Sequence, residues 1–91
     1  MIRSFKYKYT EKLYHGKFVK RFSSIGRQAE RCLRLLDEAE TLKELEKFPS
    51  NRFERLIGDR KDQYSISINM QWRICFKWKD EPYDVEIVDY H

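Results

Sequence analysis

A strict alternation of apolar and polar residues over two consecutive segments constrains this chain more than any other feature of its sequence. Residues 63–69 read QYSISIN, and residues 71–79 read QWRICFKWK. Because successive side chains of a strand point to opposite faces of a sheet, each segment is predicted to be a strand with one buried face. The link around Asn69 and Met70 has no glycine, but its length is typical of a hairpin turn. The two strands are therefore expected to pair antiparallel.

The two faces of this predicted hairpin differ in chemistry. One face carries aromatic and aliphatic side chains, namely Tyr64, Ile66, Ile68, Trp72, Ile74, Phe76 and Trp78. The other carries polar and basic side chains, namely Ser65, Ser67, Arg73, Cys75 and Lys77. We expect helices to cover the apolar face. The polar face is expected to stay uncovered, so that a large polyanion could lie across it.

Three further segments are predicted strands. Residues 2–7 alternate around two aromatic side chains, and residues 83–90 follow a turn at 80–82. Residues 52–56 are expected to form another strand next to the hairpin. A strand near each end of the chain and a group of consecutive strands indicate a sheet that is mainly antiparallel.

Helices are predicted between the first strand and the hairpin. Thr10 would cap a short helix that stops at Gly16. Ser23 or Ser24 would open the longest helix, whose apolar positions recur at steps typical of one helical face. These positions are Ile25, Ala29, Cys32, Leu33, Leu36 and Ala39.

A capping box predicts the third helix. Thr41 and Glu44 have the spacing of that motif, and Pro49 limits the helix at its other end. The order of elements predicts an α+β fold, in which a small antiparallel sheet has N-terminal helices packed on one face. With 91 residues, the chain is expected to be a single domain over residues 1–91.

Several classes of protein are excluded by what the sequence lacks. The two cysteines and two histidines are too few and too scattered for a structural zinc site, so no metal is expected. There is no glycine-rich nucleotide-binding loop and no nucleophile elbow, and we expect no cofactor. No apolar run is long enough for a membrane span, and no signal peptide is recognised, so we expect the cytoplasm and no membrane partner.

The charge is unevenly distributed along the chain. The net charge is +4, and ten Lys or Arg residues precede position 35, against two acidic residues. Between positions 80 and 89 there are five acidic residues and no base. A basic surface attracts polyanions, although a mixed, solvated surface is an alternative that the pattern leaves open.

Two side chains of the sheet are candidates for chemistry. Arg73 projects from the polar face, where a guanidinium can bind a phosphate and stabilise its transition state. The alternative is a structural cross-strand salt bridge, for example to Glu86. Glu54 lies between arginines and is a possible general base, although a surface ion pair is the simpler interpretation.

The C-terminal residues Asp89, Tyr90 and His91 place an acid, a phenol and an imidazole together. Histidine titrates near neutral pH and suits general acid or base catalysis. The alternative is a solvated chain end, with Tyr90 packed in the core.

Four motifs, spread from one end of the chain to the other, occur together at distances that are fairly specific. They are Met1-Ile2-Arg3-Ser4-Phe5, Gly58-Asp59-Arg60 with Tyr64-Ser65-Ile66, Gln71-Trp72-Arg73-Ile74-Cys75-Phe76, and Asp89-Tyr90-His91. In these motifs the chain resembles the HigB group of the RelE/ParE superfamily, the toxins of bacterial type II toxin–antitoxin systems. The resemblance extends over essentially the whole chain and implies the RelE-like α+β fold.

The resemblance also implies an activity. Such toxins cleave mRNA in the A site of the translating ribosome, by acid/base catalysis that needs no metal, and so inhibit translation. Their catalytic groups fall on Arg73, Asp89, Tyr90 and His91. Glu54 stands where some relatives carry a catalytic histidine, and Ile57 where they carry a lysine. We therefore expect Glu54 to serve as the base and His91 as the acid.

The partners implied by the resemblance are mRNA on the bacterial ribosome and a cognate helix-turn-helix antitoxin of the HigA type. Operator DNA would be contacted only through that antitoxin. Basic side chains are expected to bind RNA or the ribosome, namely Lys6, Lys8, Lys12, Lys17, Lys20, Arg21, Arg52 and Lys77.

Two alternative functions fit the same fold. ParE-like relatives inhibit DNA gyrase, but they generally lack an acid/base set that ends in histidine. A non-catalytic RNA- or ribosome-binding protein would also account for the basic residues. A short gene for a helix-turn-helix protein next to this one would distinguish a toxin from a non-toxin.

Overall fold

A computed structural model describes residues 1–90, which form three α-helices and a four-stranded sheet. The helices are α1 (Lys8–Tyr14), α2 (Gly26–Glu38) and α3 (Leu42–Lys47). The strands are β1 (Glu54–Arg55), β2 (Tyr64–Ser67), β3 (Trp72–Lys79) and β4 (Glu81–Asp89). The sheet order β1-β2-β3-β4 is a simple antiparallel meander. The predicted α+β fold is confirmed.

The apolar face of the sheet is covered by the helices, as its alternation predicts. Ile74 lies between Ile66 on β2 and Ile87 on β4, and all three are buried. Ala29 and Leu33, on the apolar stripe of α2, are fully buried in the same core. Burial of these side chains supplies the main driving force for folding.

The N-terminal segment does not form the regular strand predicted for residues 2–7. Phe5 makes an isolated parallel bridge with Val85, and the Lys6 amide donates to the Val85 carbonyl at 2.9 Å. Helix α1 already begins at Lys8, with Tyr7 as its N-cap residue. The segment is therefore too short for a ladder, but it still lies along the edge of β4.

The caps predicted for two helices are wrong. Thr10 lies inside α1 rather than before it, and its buried hydroxyl has no hydrogen-bond partner within residues 1–90. Helix α2 begins after Ile25, so neither Ser23 nor Ser24 caps it. A preceding 3₁₀ turn over Lys20–Phe22 buries Phe22 against the core and shifts the helix start along the chain.

Other local predictions are confirmed. Gly16 ends α1 with a φ of +80°, a left-handed conformation that glycine adopts without steric cost. The Glu44 amide donates to the Thr41 hydroxyl at 3.3 Å, as the capping box predicts. Within residues 1–90, none of the helices is long and apolar enough to cross a membrane.

Candidate active site

Arg73 is the centre of a polar cluster on the face of the sheet opposite the helices. Its Nε donates to the Ser65 hydroxyl at 2.8 Å, and its Nη2 donates to the backbone carbonyl of Arg52. The same Nη2 lies 3.5 Å from a carboxylate oxygen of Glu54. The Arg73 side chain therefore ties β3 to β2 and to the segment that enters β1.

This arrangement follows from the strand register. Ser65 lies opposite both Glu54 and Cys75, and Cys75 is two residues along β3 from Arg73. Residues that are two apart on neighbouring strands share a face, so Glu54, Ser65 and Arg73 converge. The salt bridge considered between Arg73 and Glu86 does not form, although the two residues share a face of the sheet. Arg73 binds Ser65, Arg52 and Glu54 instead. Glu86 binds Arg60 and Lys6.

The C-terminal end of β4 brings Tyr90 to the same cluster. The Arg73 guanidinium lies 5.7 Å from the centre of the Tyr90 ring, within the range of a cation–π interaction. The Tyr90 amide donates to the Gln71 carbonyl at 2.6 Å, which fixes the backbone at this point. The Asp89 carboxylate accepts from the Gln71 side-chain amide at 3.2 Å. His91, predicted as the acid, lies outside the described residues.

A second cationic group stands beside this cluster. Arg60 donates from Nη1 to Glu86 at 3.0 Å and to Gln63 at 3.1 Å. Lys6 reaches the same Glu86 oxygen at 3.4 Å. The hydrogen bond that Arg60 donates to Glu86 raises the pKa of Arg60 above its ordinary value, so this guanidinium stays charged. The buried carboxylate holds Arg60 in place.

The prediction that the polar face stays uncovered is wrong around its centre. Arg73 is 9% exposed, and Ser65 and Cys75 are fully buried. The cause is that Glu54 pairs with Arg73 while Arg60 and Lys6 reach across to Glu86. Among residues 1–90, the accessible parts of this face include exposed Glu54 and half-buried Ser67 and Lys77.

Cys75 lies beneath these charged groups and is unsuited to nucleophilic chemistry. Desolvation by burial raises the pKa of its thiol to about 11, although nearby Arg60 and Arg73 oppose this shift. Burial also raises the pKa of Cys32, the other cysteine. Because the thiolate is the reactive form, both cysteines are unreactive near neutral pH.

An open cleft of about 500 Å³ lies next to the cluster, between β1, the turn at Gly58–Arg60 and Tyr90. Glu54, Arg60 and Tyr90 all line it. The exposed Ile57 also lines it, in the position where some relatives carry lysine. The cleft therefore presents a carboxylate, a guanidinium and a phenol to solvent, and these can engage a phosphodiester.

The predicted RNA-binding cations fall into several groups. Lys8, Lys12 and Lys17 line one shallow hollow, together with Glu11 and His15. Three other cations have partners elsewhere: Lys6 pairs with Glu86, the Arg21 guanidinium lies over the Tyr9 ring, and Lys77 lies 3.6 Å from Asp84. Lys20 and Arg52 are exposed. Arg52 has a φ of 44°, so its backbone turns sharply just before β1.

The sequence reasoning missed Arg60, Glu86 and Ser65 as parts of the cluster. The strand alternation contained the signal for two of them, because Ser65 and Glu86 both lie opposite Cys75. Arg60 gave no such signal, since it lies in a 3₁₀ turn whose position depends on tertiary packing.

Comparison with known proteins identifies the family. Residues 3–91 match the family described as the RelE-like toxin of the type II toxin–antitoxin system HigB. The chain belongs to this family. It is also 39% identical over 82 residues to toxin HigB-1 of Vibrio cholerae serotype O1, covering 88% of this chain and 86% of that toxin.

Family membership makes this chain the toxin of a type II toxin–antitoxin system, and it implies an antitoxin as partner. The resemblance found in the motifs is thereby confirmed. Toxins of the HigB and RelE type are generally endoribonucleases.

Proposed function

We propose that this toxin is an endoribonuclease that cleaves mRNA in the A site of the translating ribosome. The observation that carries the proposal is that Arg73 contacts both Glu54 and Tyr90, which line one open cleft in a member of this family. A carboxylate, a guanidinium and a phenol are suited to proton transfer and to phosphate binding.

The reaction uses the ribose 2′-hydroxyl as its nucleophile. Glu54 takes the proton from this hydroxyl, and the oxygen attacks the adjacent phosphorus. The bond from phosphorus to the 5′ oxygen breaks, and that oxygen takes a proton from His91. The products are a 2′,3′-cyclic phosphate and a 5′-hydroxyl. Base and acid each contribute about 10²–10⁴-fold to such reactions.

Arg73 stabilises the charge that develops on the phosphate. In the structure its Nη2 faces the Glu54 carboxylate, whose side chain is 54% exposed. An RNA phosphate entering the cleft replaces that carboxylate at Nη2, because both are anions with acceptor oxygens. Glu54 then turns toward the 2′-hydroxyl, where it is needed as the base.

Arg60 provides a second cation for the phosphate backbone. It lines the same cleft as Glu54 and is held by Glu86 at 3.0 Å. A positioned guanidinium binds phosphate with less loss of side-chain freedom than a mobile lysine. This contact compensates in part for Ile57, which supplies no charge in the position where some relatives have lysine.

Tyr90 and Asp89 complete the site in supporting roles. The Tyr90 ring lies against the Arg73 guanidinium and lines the cleft, so it can orient the scissile phosphate or donate its phenolic hydrogen bond. Asp89 is held by Gln71 and precedes His91, the proposed acid, by two positions in the sequence.

The ribosome supplies the alignment of the mRNA that the cleft does not provide by itself. The cleft is open and mixed in charge, so it binds free mRNA loosely and mainly through salt-sensitive phosphate contacts. Misalignment of the nucleophile can cost about 10²-fold in rate. The decoding centre presents a bent A-site codon, and the basic N-terminal residues bind ribosomal RNA. This function places the toxin in the bacterial cytoplasm.

The antitoxin proposed here is a helix-turn-helix protein of the HigA type, which also binds its own promoter. The toxin then reaches operator DNA only through the antitoxin. Neutralisation does not require the cleft to be filled, because a bulky partner on another face keeps the toxin out of the ribosome.

Primer-extension mapping after controlled expression tests the function. We expect new mRNA 5′ ends in frame with codons, which disappear when the antitoxin is co-expressed. Arg55→Gln is a suitable matched control for a variant of Arg73. Arg55 also lines the cleft, but within residues 1–90 the structure shows no contact between it and Arg73. Growth arrest without mRNA cleavage, and with gyrase inhibition, would contradict the proposal.

A further inference from the structure

A column of aromatic rings runs from the core of this toxin to its surface, and none of its rings lines the cleft. Buried Phe22 packs edge-on against Trp72 at 5.7 Å and against Tyr9 at 5.6 Å. Tyr9 then stacks on Tyr7 with ring centres 5.2 Å apart and an interplanar angle of 8°. The last ring, Tyr7, is 41% exposed.

Two cations flank the outer rings of this column. The Arg21 guanidinium lies 4.1 Å from the centre of the Tyr9 ring, and Lys6 Nζ lies 5.7 Å from the centre of the Tyr7 ring. Lys20 is exposed in the 3₁₀ turn that carries Arg21. Planar groups and positive charge therefore share one exposed surface.

These are the features by which proteins bind unpaired RNA. Single-stranded bases stack on aromatic rings or on arginine planes, while nearby cations bind the phosphates. A ring that is already fixed by stacking against the core loses little freedom when a base binds. The surrounding N-terminal segment is strongly basic, with ten Lys or Arg residues before position 35.

We propose that Tyr7, supported by Tyr9 and flanked by Arg21, is a stacking site for an unpaired RNA base. Lys6 and Lys20 bind the adjoining phosphates. This inference rests on the proposed function for the identity of the partner as RNA. It adds that the N-terminal surface recognises an exposed base in a single strand or loop, and not duplex phosphates alone.

Binding of an uncleavable probe tests the inference separately from cleavage. The probe is a short fluorescent 2′-O-methyl oligoadenylate, which lacks the nucleophilic hydroxyl. An abasic oligomer of equal length and charge is the comparison. Tyr7→Leu in the full-length toxin should weaken oligoadenylate binding roughly five- to a hundredfold, the range for loss of one base–aromatic stack. It should leave binding of the abasic oligomer unchanged.

Three control variants separate stacking from charge and from packing. Tyr7→Phe keeps the ring and should bind like the wild type. Lys20→Gln should weaken both oligomers and reduce the salt dependence by roughly 0.7 in logarithmic slope, whereas Tyr7→Leu should not change that slope. Phe48→Leu removes an aromatic ring of similar exposure, 53%, from a surface on which Glu38 and Glu44 balance the charge of Arg31 and Arg34, and should change nothing.

The outcomes are distinct. Equal losses for both oligomers in Tyr7→Leu, or no loss for either, would overturn the inference and leave Tyr7 as a packing residue of α1. A circular dichroism spectrum like that of the wild type confirms that each variant is folded. Selective loss of base binding in a toxin that cuts no mRNA would support the stacking site while contradicting the proposed nuclease.

Discussion

The Nη2 atom of Arg73 lies 3.5 Å from the Glu54 carboxylate, and this ion pair joins a side chain that is 10% exposed to one that is 54% exposed. Its two partners therefore have unequal roles. Arg73 is held by hydrogen bonds to Ser65 and Arg52, whereas the exposed Glu54 can move without breaking the sheet. The pair marks the boundary between the structural part of the cluster and the part that can meet RNA.

Arg73→Ala is expected to lower both cleavage and stability. Loss of one electrostatic contact to the transition state typically reduces the rate about 10²–10³-fold. The change also leaves the Ser65 hydroxyl and the Arg52 carbonyl without their partner, at a cost of about 1–3 kcal/mol. Urea denaturation and cleavage of ribosome-bound mRNA measure the two effects. Cleavage at the wild-type rate by the folded variant would show that Arg73 is structural only.

The sequence alone predicts the first of these effects but not the second. Alternation on β3 correctly assigns Arg73 to the face opposite Trp72, and from there a solvated side chain was the natural expectation. Its burial depends on Glu54 and on the backbone at Arg52, which approach it through the path of the chain before β1. Periodicity gives the face of a residue but not what lies over it.

Glu54→Gln is expected to reduce cleavage about 10²-fold or more, because an amide cannot accept the proton of the 2′-hydroxyl. The loss of stability should stay small, because the Glu54 side chain is 54% exposed and the amide oxygen of glutamine can still accept a hydrogen bond from Arg73. Glu54→His restores the histidine of some relatives and should cleave with a pH dependence moved toward neutral pH. A pH profile of the cleavage rate for the three proteins is the measurement. Equal rates for Glu54→Gln and wild type would assign the base elsewhere.

Glu86→Gln is expected to weaken the hold on Arg60 and Lys6. Hydrogen bonds to a charged group contribute about 1.5–3 kcal/mol, so the free energy of unfolding should fall by about that amount. Arg60, no longer fixed at 3.0 Å, should bind RNA less well, so the apparent KM should rise more than kcat falls. Asp84→Asn, which affects the more exposed pair with Lys77 and a hydrogen bond from the Ser4 hydroxyl, is the matched control. An unchanged KM in Glu86→Gln would remove Arg60 from the RNA-binding groups.

Stability is expected to decline at alkaline pH because of Cys75. Burial raises the pKa of its thiol from 9.0 to about 11, so the folded state keeps a proton that the unfolded state releases. The stabilisation is complete below pH 9 and is lost as the pH rises toward 11. The difference in unfolding free energy between wild type and Cys75→Ala should therefore shrink across this interval, by up to about 2 kcal/mol. A difference that is constant with pH would contradict the burial of a neutral thiol.

The main elements of the fold could be read from the sequence, whereas the ends of two helices and the first strand could not. The hairpin of β2 and β3, the stripe of α2 and the Thr41 cap each depend on local periodicity or spacing. Thr10 and the serines before α2 have the same residue types as a cap, but the packing of Phe22 and the bridge at Phe5 decide where those helices begin. Tertiary contacts override local preference there.

The candidate site likewise contains residues that the sequence predicts and residues that only the fold brings together. The motifs place Arg73, Tyr90 and Glu54 in the site, and the structure brings these three together. Arg60 and Glu86 lie 26 positions apart in sequence and meet only through the fold. Their pairing depends on the register of β3 and β4 and on the position of the turn before β2.

Cleavage of one mRNA with and without ribosomes tests the central claim most directly. Purified toxin is incubated with the free mRNA, and in parallel with the same mRNA carried by ribosomes with an open A site. We predict that free mRNA stays nearly intact and that ribosome-bound mRNA is cut at the A-site codon. The downstream fragments should carry 5′-hydroxyl ends. Rapid cutting of free mRNA at many sites, or fragments with 5′-phosphate ends, would contradict it.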